Sequence, residues 1–178
     1  MLRILLASLL LLFGGIAIAA EQQTLVVYNW AEYLPKKVLQ QFTRETGIKV
    51  QYSTYDSNEA MYAKVKTVKG VGYDILVPST YYVDRMRREG LLQPLDKSRL
   101  HNLGNLNPRL LDQPYDPGNQ YSIPYLWGTT GIAYDADKVA PGTLTRWAEL
   151  WDPAYRNKLL LLNDMREVFS MGLKVLGH

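Results

Sequence analysis

Aromatic, hydroxyl and carboxylate side chains are concentrated in three short segments of the chain. The segments are residues 29–33 (NWAEY), 79–82 (STYY) and 163–167 (NDMRE). Aromatic faces attract ammonium groups and pack against methylene groups, while carboxylates pair with charged ends. An anionic ligand would call instead for Lys, Arg or a glycine-rich helix start, and Arg166 is the only basic residue in the three segments. This chemistry favours an organic cation as the ligand.

Each segment also has a purely structural explanation. Trp30 and Tyr33 could simply pack on the rim of a sheet. Ser79 is an ordinary N-cap residue, and Asp164 with Glu167 matches the Asp-x-x-Glu capping pattern. One carboxylate can cap a helix and still face a ligand, so the two interpretations do not exclude each other. The coincidence of three such segments favours a binding site.

Composition and motifs argue against several other classes of protein. The 178 residues contain no cysteine and two histidines, and 20 Lys and Arg face 17 Asp and Glu, a net charge of +3. So small a basic surplus does not indicate nucleic-acid binding. The sequence contains no G-x-S-x-G, H-E-x-x-H or P-loop motif. Asp164 and Glu167 could imitate a glycosidase pair, but capping explains them better. We therefore expect no enzyme, no metal and no cofactor.

The order of strands and helices predicts how the three segments are positioned. β-branched and aromatic stretches typical of strands occupy residues 24–29, 48–54 and 73–78. Helical patterns begin at Pro35, at the capping-box spacing of Asp56 and Glu59, and at Tyr82, and Gly47 and Gly90 end the first and third. This alternation predicts parallel βαβ units, whose right-handed crossovers place the strand C-termini along one edge, where ligands bind.

The second part of the chain has a different composition. Residues 94–124 contain five prolines and predict a meandering surface segment. Beyond them, strands are expected over residues 131–134 and 159–162, a short helix over Trp147–Trp151, and a helix from about Met165. We place a boundary near residue 128.

The first twenty residues have the features of a secretory signal peptide. A single Arg precedes an apolar run, and the run ends in Ala17-Ile18-Ala19. The alternative is a membrane anchor, but the apolar run lies at the bottom of the spanning range and contains Gly14-Gly15. We expect cleavage near Ala19 and Ala20 and export to the periplasm.

Four blocks of sequence resemble one known family. They are YNWAEY (residues 28–33), DILVPSTYY (74–82), IPYLWGTTGI (123–132) and DMREVF (164–169). The chain is similar, from about Thr24 to its last residue, to the periplasmic polyamine-binding proteins, which are the solute receptors of spermidine/putrescine ABC importers. The resemblance implies an α/β, periplasmic-binding-protein-like two-lobed fold that closes on its ligand.

The resemblance also implies roles for particular residues. The ligand-binding set would be Trp30, Glu32, Tyr33, Ser79, Tyr81, Asp164 and Glu167. Trp30 and Tyr33 would surround the aliphatic chain, and Asp164 and Glu167 would pair with amine groups. Ala31 departs from the family pattern, which often has a hydroxyl residue there, and Asn163 replaces a common acidic residue.

Family members are about twice as long as this chain. We therefore expect a truncated fold, in which residues 21–128 form a largely present but incomplete first lobe and residues 129–178 only begin a second. The expected function is capture of spermidine or putrescine in the periplasm and delivery to an inner-membrane ABC permease by a monomer. The alternatives are a receptor for another organic cation, a truncated remnant with little binding and, least favoured, a secreted hydrolase.

Overall fold

The computed structural model describes residues 22–178, so the predicted signal peptide lies outside the described residues. The regular elements are β1 (Thr24–Trp30), α1 (Lys36–Thr46), β2 (Lys49–Tyr55), α2 (Asn58–Thr67), β3 (Ile75–Leu76), α3 (Thr80–Arg88) and α4 (Met165–Val175). Six 3₁₀ helices lie between α3 and α4: Lys97–Arg99, Leu103–Asn105, Pro108–Leu110, Pro117–Asn119, Trp147–Trp151 and Pro153–Tyr155.

The three strands form one parallel sheet in the order β2-β1-β3. Strand β1 pairs with β2 along its full length, from Thr24 opposite Lys49 to Trp30 opposite Tyr55. It pairs with β3 over two residues, and its Tyr28 lies opposite Leu76. The predicted parallel βαβ arrangement is confirmed, because α1 and α2 connect the parallel strands. The ends of all three strands therefore meet at one edge of the sheet.

The core lies between the sheet and helices α2 and α3. Met61, Val65 and Met86 are fully buried there. Tyr28 from β1 and Tyr55 from β2 belong to the same cluster, with their rings edge to face at 5.0 Å. These two helices are thus fixed by apolar packing, and each begins at the sheet edge where the strands end.

One local prediction holds and another is displaced by a residue. Gly47 ends α1 in the left-handed conformation (φ 73°), as expected for a C′ glycine. Helix α2, however, is capped by Ser57 and not by Asp56, and Ser57 Oγ accepts a hydrogen bond from the Ala60 N–H at 3.3 Å. Glu59 accordingly does not close a capping box and accepts a hydrogen bond from the Tyr82 hydroxyl.

The strands expected over residues 131–134 and 159–162 are not formed, which corrects the prediction for this part of the chain. A strand requires a neighbour with which its backbone can pair, and within residues 22–178 neither segment has one. Leu160 is 98% exposed. Both segments are apolar, as a strand requires, but apolar composition alone does not supply a neighbouring strand with which to pair. The boundary at residue 128 stays a prediction.

Candidate functional site

Ser79, Tyr81 and Asp164 meet around a residue that the sequence did not single out. Asn58, the first residue of α2, is fully buried. Its side-chain Nδ2 lies 3.0 Å from Ser79 Oγ, 2.8 Å from the Tyr81 hydroxyl oxygen and 3.1 Å from Asp164 Oδ2. Its Oδ1 accepts a hydrogen bond from the Ser79 backbone N–H at 3.0 Å. Two of the three predicted segments are therefore joined directly. We call these four residues the polar cluster.

Asp164 lies at the start of α4 and is only 8% exposed. Its Oδ1 caps the helix, accepting hydrogen bonds from the backbone N–H groups of Arg166 and Glu167 at 3.0 and 3.2 Å. Its Oδ2 accepts the Tyr81 hydroxyl at 2.8 Å and the Asn58 amide. The carboxylate thus caps its helix and at the same time faces the ends of strands β2 and β3.

The ring of Tyr81 carries a cation on one face. The Arg166 guanidinium lies 4.7 Å from the ring centroid, a distance typical of a cation–π contact. Burial, followed by the hydrogen bond to Asp164, raises the pKa of the Tyr81 hydroxyl above its ordinary value. The hydroxyl therefore stays protonated and keeps donating to Asp164 at physiological pH.

Aromatic rings gather at the end of β1. The Trp30 ring lies 6.1 Å from that of Tyr33 and 4.7 Å from that of Tyr55. Tyr55 is buried, and its hydroxyl donates to the backbone carbonyl of Val77 at the end of β3. Tyr33 is 43% exposed, and its carbonyl accepts the Tyr125 hydroxyl at 2.8 Å. These contacts connect the aromatic group to the strand edge that also carries the polar cluster.

Glu32 is exposed and adopts a left-handed backbone conformation (φ 60°). A non-glycine residue in this region carries about 1 kcal/mol of strain and is most often found in tight turns. The turn is anchored by the preceding residue, because the Ala31 N–H donates to the Tyr55 carbonyl at 3.2 Å. In the described part of the chain the Glu32 carboxylate accepts no hydrogen bond, so it is available to a ligand.

Glu167 does not reach back to its helix N-cap, as a capping box would require. Its Oε2 accepts a hydrogen bond from the Thr130 hydroxyl at 2.8 Å instead. A cavity of about 300 Å³ adjoins it, and Thr129, Trp147, Met171 and Lys174 are among the residues that line this cavity. Glu167 is therefore held by a segment just beyond the predicted boundary, one helical turn away from the polar cluster.

The structure thus joins some predicted site residues and leaves others apart. Ser79, Tyr81 and Asp164 share one hydrogen-bonded cluster, and Trp30 packs with Tyr33. Within the residues that the structure describes, the side-chain carboxylates of Glu32 and Glu167 form no hydrogen bond with either group, although the Glu167 backbone N–H donates to Asp164. Sequence reasoning missed Asn58, Tyr55 and Thr130. For Asn58 a signal existed, because it follows the end of a predicted strand, as the three selected segments do.

Residues 22–178 lack both a metal-binding cluster and a membrane-spanning helix. They contain no group of three or more His, Asp or Glu side chains arranged to hold a metal ion. None of their helices has the length and apolar character needed to cross a bilayer.

Aromatic and acidic side chains at the C-terminal ends of parallel strands occupy the place where ligands bind in such sheets. The sequence matches the bacterial extracellular solute-binding protein family over residues 37–178, and the chain belongs to that family. The fold class predicted from the sequence agrees with this assignment.

Particular relatives are close in sequence and in structure. The chain is 55% identical, over 175 residues, to the spermidine/putrescine-binding periplasmic protein of Salmonella typhimurium, covering 98% of this chain and 50% of that protein. It is 40% identical to a putrescine-binding periplasmic protein of Pseudomonas aeruginosa, over 93% and 48% of the two chains.

A solved structure from Listeria monocytogenes, described as a spermidine/putrescine ABC transporter, matches with a TM-score of 0.83 at 44% identity. The match covers 88% of this chain and 48% of that one. The α/β, periplasmic-binding-protein-like fold is therefore confirmed. The chain spans about half the length of the relatives that it matches.

Proposed function

We propose that this protein is the polyamine-binding part of a periplasmic receptor, which captures spermidine or putrescine without chemistry and presents it to an inner-membrane ABC permease. One observation carries the proposal: the Tyr81 ring holds the Arg166 guanidinium at 4.7 Å, beside the buried carboxylate of Asp164. An aromatic face next to a carboxylate is the environment that an alkylammonium group requires. The names of the relatives agree with this ligand class.

The proposed ligand-binding residues are Trp30, Glu32, Tyr33, Ser79, Tyr81, Asp164 and Glu167. Trp30 and Tyr33 offer aromatic faces to the methylene chain, while Glu32 and Glu167 offer carboxylates from two different segments of the chain. Two separated carboxylates suit a ligand with a positive charge at each end. The protein is proposed to act as a monomer, after export and removal of its leader.

Isothermal titration calorimetry on the purified chain tests the proposal. Spermidine and putrescine should both give saturable heat, and the affinity should fall as NaCl is raised, because exposed charges are screened. Adipate is the matched control, since it has a similar chain length with charges of opposite sign, and it should give none. Absence of heat with both polyamines would contradict the proposal.

A receptor for another organic cation is the second candidate, and the same titration separates it. Choline fits an aromatic face but has one charge, so it should bind more weakly than putrescine. Stronger binding of choline would favour the second candidate. Recovery of spermidine unchanged after prolonged incubation distinguishes a receptor from a hydrolase.

A further inference from the structure

Asn58 is held in one orientation by its surroundings. Its Oδ1 faces the Ser79 backbone N–H, which can only donate a hydrogen bond, so Nδ2 must face the other three oxygen atoms. These belong to Ser79, Tyr81 and Asp164, and they lie between 2.8 and 3.1 Å away. The amide therefore connects the start of α2 with residues that follow it by as many as 106 positions.

The Asn58 amide nitrogen has more oxygen atoms within hydrogen-bond distance than it has N–H bonds. An Asn amide has two N–H bonds, and three oxygen atoms lie within hydrogen-bond distance of Nδ2. The Tyr81 hydroxyl donates its own hydrogen to Asp164 Oδ2, which leaves the hydroxyl oxygen free to accept. If a ligand ammonium takes a position on Oδ2, both Asn58 N–H bonds still find acceptors on Ser79 and Tyr81. A cation on Oδ2 would thus leave no Asn58 N–H bond without an acceptor.

We propose that Asn58 is a positioning residue of the cation site: it holds the Asp164 carboxylate and the Tyr81 hydroxyl in place and exchanges one hydrogen bond when a ligand ammonium arrives. This inference rests on the proposed polyamine-binding function. Asn58 does not supply charge itself. It fixes the direction of the carboxylate that does.

The variant Asn58→Asp distinguishes this role from a simple loss of structure, because it should change the proton release and the pH dependence of binding. It keeps the acceptor for Ser79 but places a second carboxyl group beside Asp164. The other charged or titratable groups facing the position are Tyr81, Glu59 on the same helix, and Arg166 over the Tyr81 ring. Adjacent carboxyl groups share a proton, and a bound ammonium would displace it.

We therefore expect the variant Asn58→Asp to release more protons than the wild type when spermidine binds. Calorimetry in buffers of different ionisation enthalpy measures this release. The affinity of Asn58→Asp for spermidine should rise with pH between 5 and 7, by up to about tenfold per pH unit. A proton release and pH profile equal to those of the wild type would overturn the inference.

Asn119→Asp is the matched control. Asn119 is also buried, its Oδ1 accepts from the Asp112 N–H at 2.8 Å, and its Nδ2 donates to the Ser122 carbonyl at 3.1 Å. These partners lie outside the cation site. The control should lose stability but bind spermidine with the wild-type proton release. The uncharged variant Asn58→Ser should bind about tenfold more weakly with no added pH dependence.

A measurement without ligand separates failure of the inference from failure of the proposed function. If the wild type gives no heat with either polyamine, the proposed function fails, and Asn58 is judged from urea unfolding at several pH values. In Asn58→Asp the neighbouring Asp164 should raise the folded-state pKa of the introduced carboxyl group. The stability deficit of this variant should then grow between pH 5 and 8, whereas that of Asn58→Ser stays constant. If the stability deficits of Asn58→Asp and Asn58→Ser changed equally with pH, the inference would be overturned.

Discussion

At the scale of single residues, Asp164 combines two tasks in one carboxylate. One oxygen caps α4 through two backbone N–H groups, and the other accepts hydrogen bonds from Tyr81 and Asn58. The cap sets the position of the carboxylate relative to the helix, and the polar cluster sets its direction. A ligand that pairs with Asp164 therefore meets a group whose geometry is fixed before binding.

Replacing Asp164 should destabilise the protein as well as weaken binding. The variant Asp164→Ala loses the helix cap and removes the acceptor of the half-buried Tyr81 hydroxyl, so the free energy of unfolding should fall by about 2–4 kcal/mol. Urea denaturation followed by circular dichroism measures the change. Glu167→Ala is the control: it removes one hydrogen bond to Thr130 and should cost less than about 1 kcal/mol. Equal losses for the two variants would show that Asp164 has no structural task.

Residue types and places after strand patterns are local features, so the sequence indicated the three segments, and the family resemblance then implied the seven candidate binding residues. The structure brings Ser79, Tyr81 and Asp164 together in one hydrogen-bonded cluster. The amide at their centre was missed although Asn58 follows a predicted strand, because its contact with Asp164 depends on tertiary packing. An Asn beside a cap residue is ordinary at a helix start, so the residue type alone gives no warning.

At the scale of elements, helices α2 and α3 are linked at their outer ends by one carboxylate. Glu89, just after α3, accepts hydrogen bonds from the Tyr62 hydroxyl at 2.6 Å, Lys66 Nζ at 3.1 Å and Arg85 Nε at 3.0 Å. The hydrogen bond from Tyr62, followed by those from Arg85 and Lys66, lowers the pKa of Glu89 to about 2. The link therefore depends on an ionised carboxylate.

Acid should remove the contribution of this link. A carboxyl group whose pKa is lowered on folding stabilises the folded state above its unfolded pKa, and this contribution is lost as the pH falls towards the folded value. The wild type should therefore be more stable than Glu89→Gln at pH 7, and the difference should shrink between pH 5 and about 2. Thermal unfolding of both proteins across this range measures the difference. A difference that is constant with pH would contradict the assignment.

The elements of the first 90 residues were predictable because each has local signals. Gly47 ends α1, and strands β1 and β2 have the expected β-branched and aromatic residues. The strand expected over residues 159–162 does not form. Its leucines satisfy every local criterion for a strand, but strand pairing also requires a second segment. The cap of α2 moved from Asp56 to Ser57 because both are good N-cap residues and the sequence alone does not choose between them.

At the scale of the whole molecule, the second part of the described chain carries large exposed apolar side chains. Leu160 is almost fully exposed, and Trp127, Phe169 and Leu176 are also largely exposed. Exposed apolar side chains bind hydrophobic probes. These side chains, here called the apolar surface, lie beyond residue 125, whereas the core lies within residues 28–86.

Binding of the dye ANS should report this surface. The double substitution Leu160→Gln and Phe169→Gln should lower the dye fluorescence by roughly half or more, because two of the largest exposed apolar groups are removed. Val71→Gln is the control, since Val71 is 74% exposed but lies in a turn beside the core, and it should leave the fluorescence nearly unchanged. An equal decrease in both proteins would show that the dye does not bind at the apolar surface.

The position of β1 in the middle of the sheet has a consequence for the order of folding. This strand comes first in the sequence, yet Val27 pairs with Ile75, and parallel pairing cannot form through a tight hairpin. Until the ribosome has added residue 76, the middle strand lacks one of its two neighbours. Folding that depends on such distant pairing is slow. A chain whose central strand is completed late therefore stays unfolded for longer after synthesis begins.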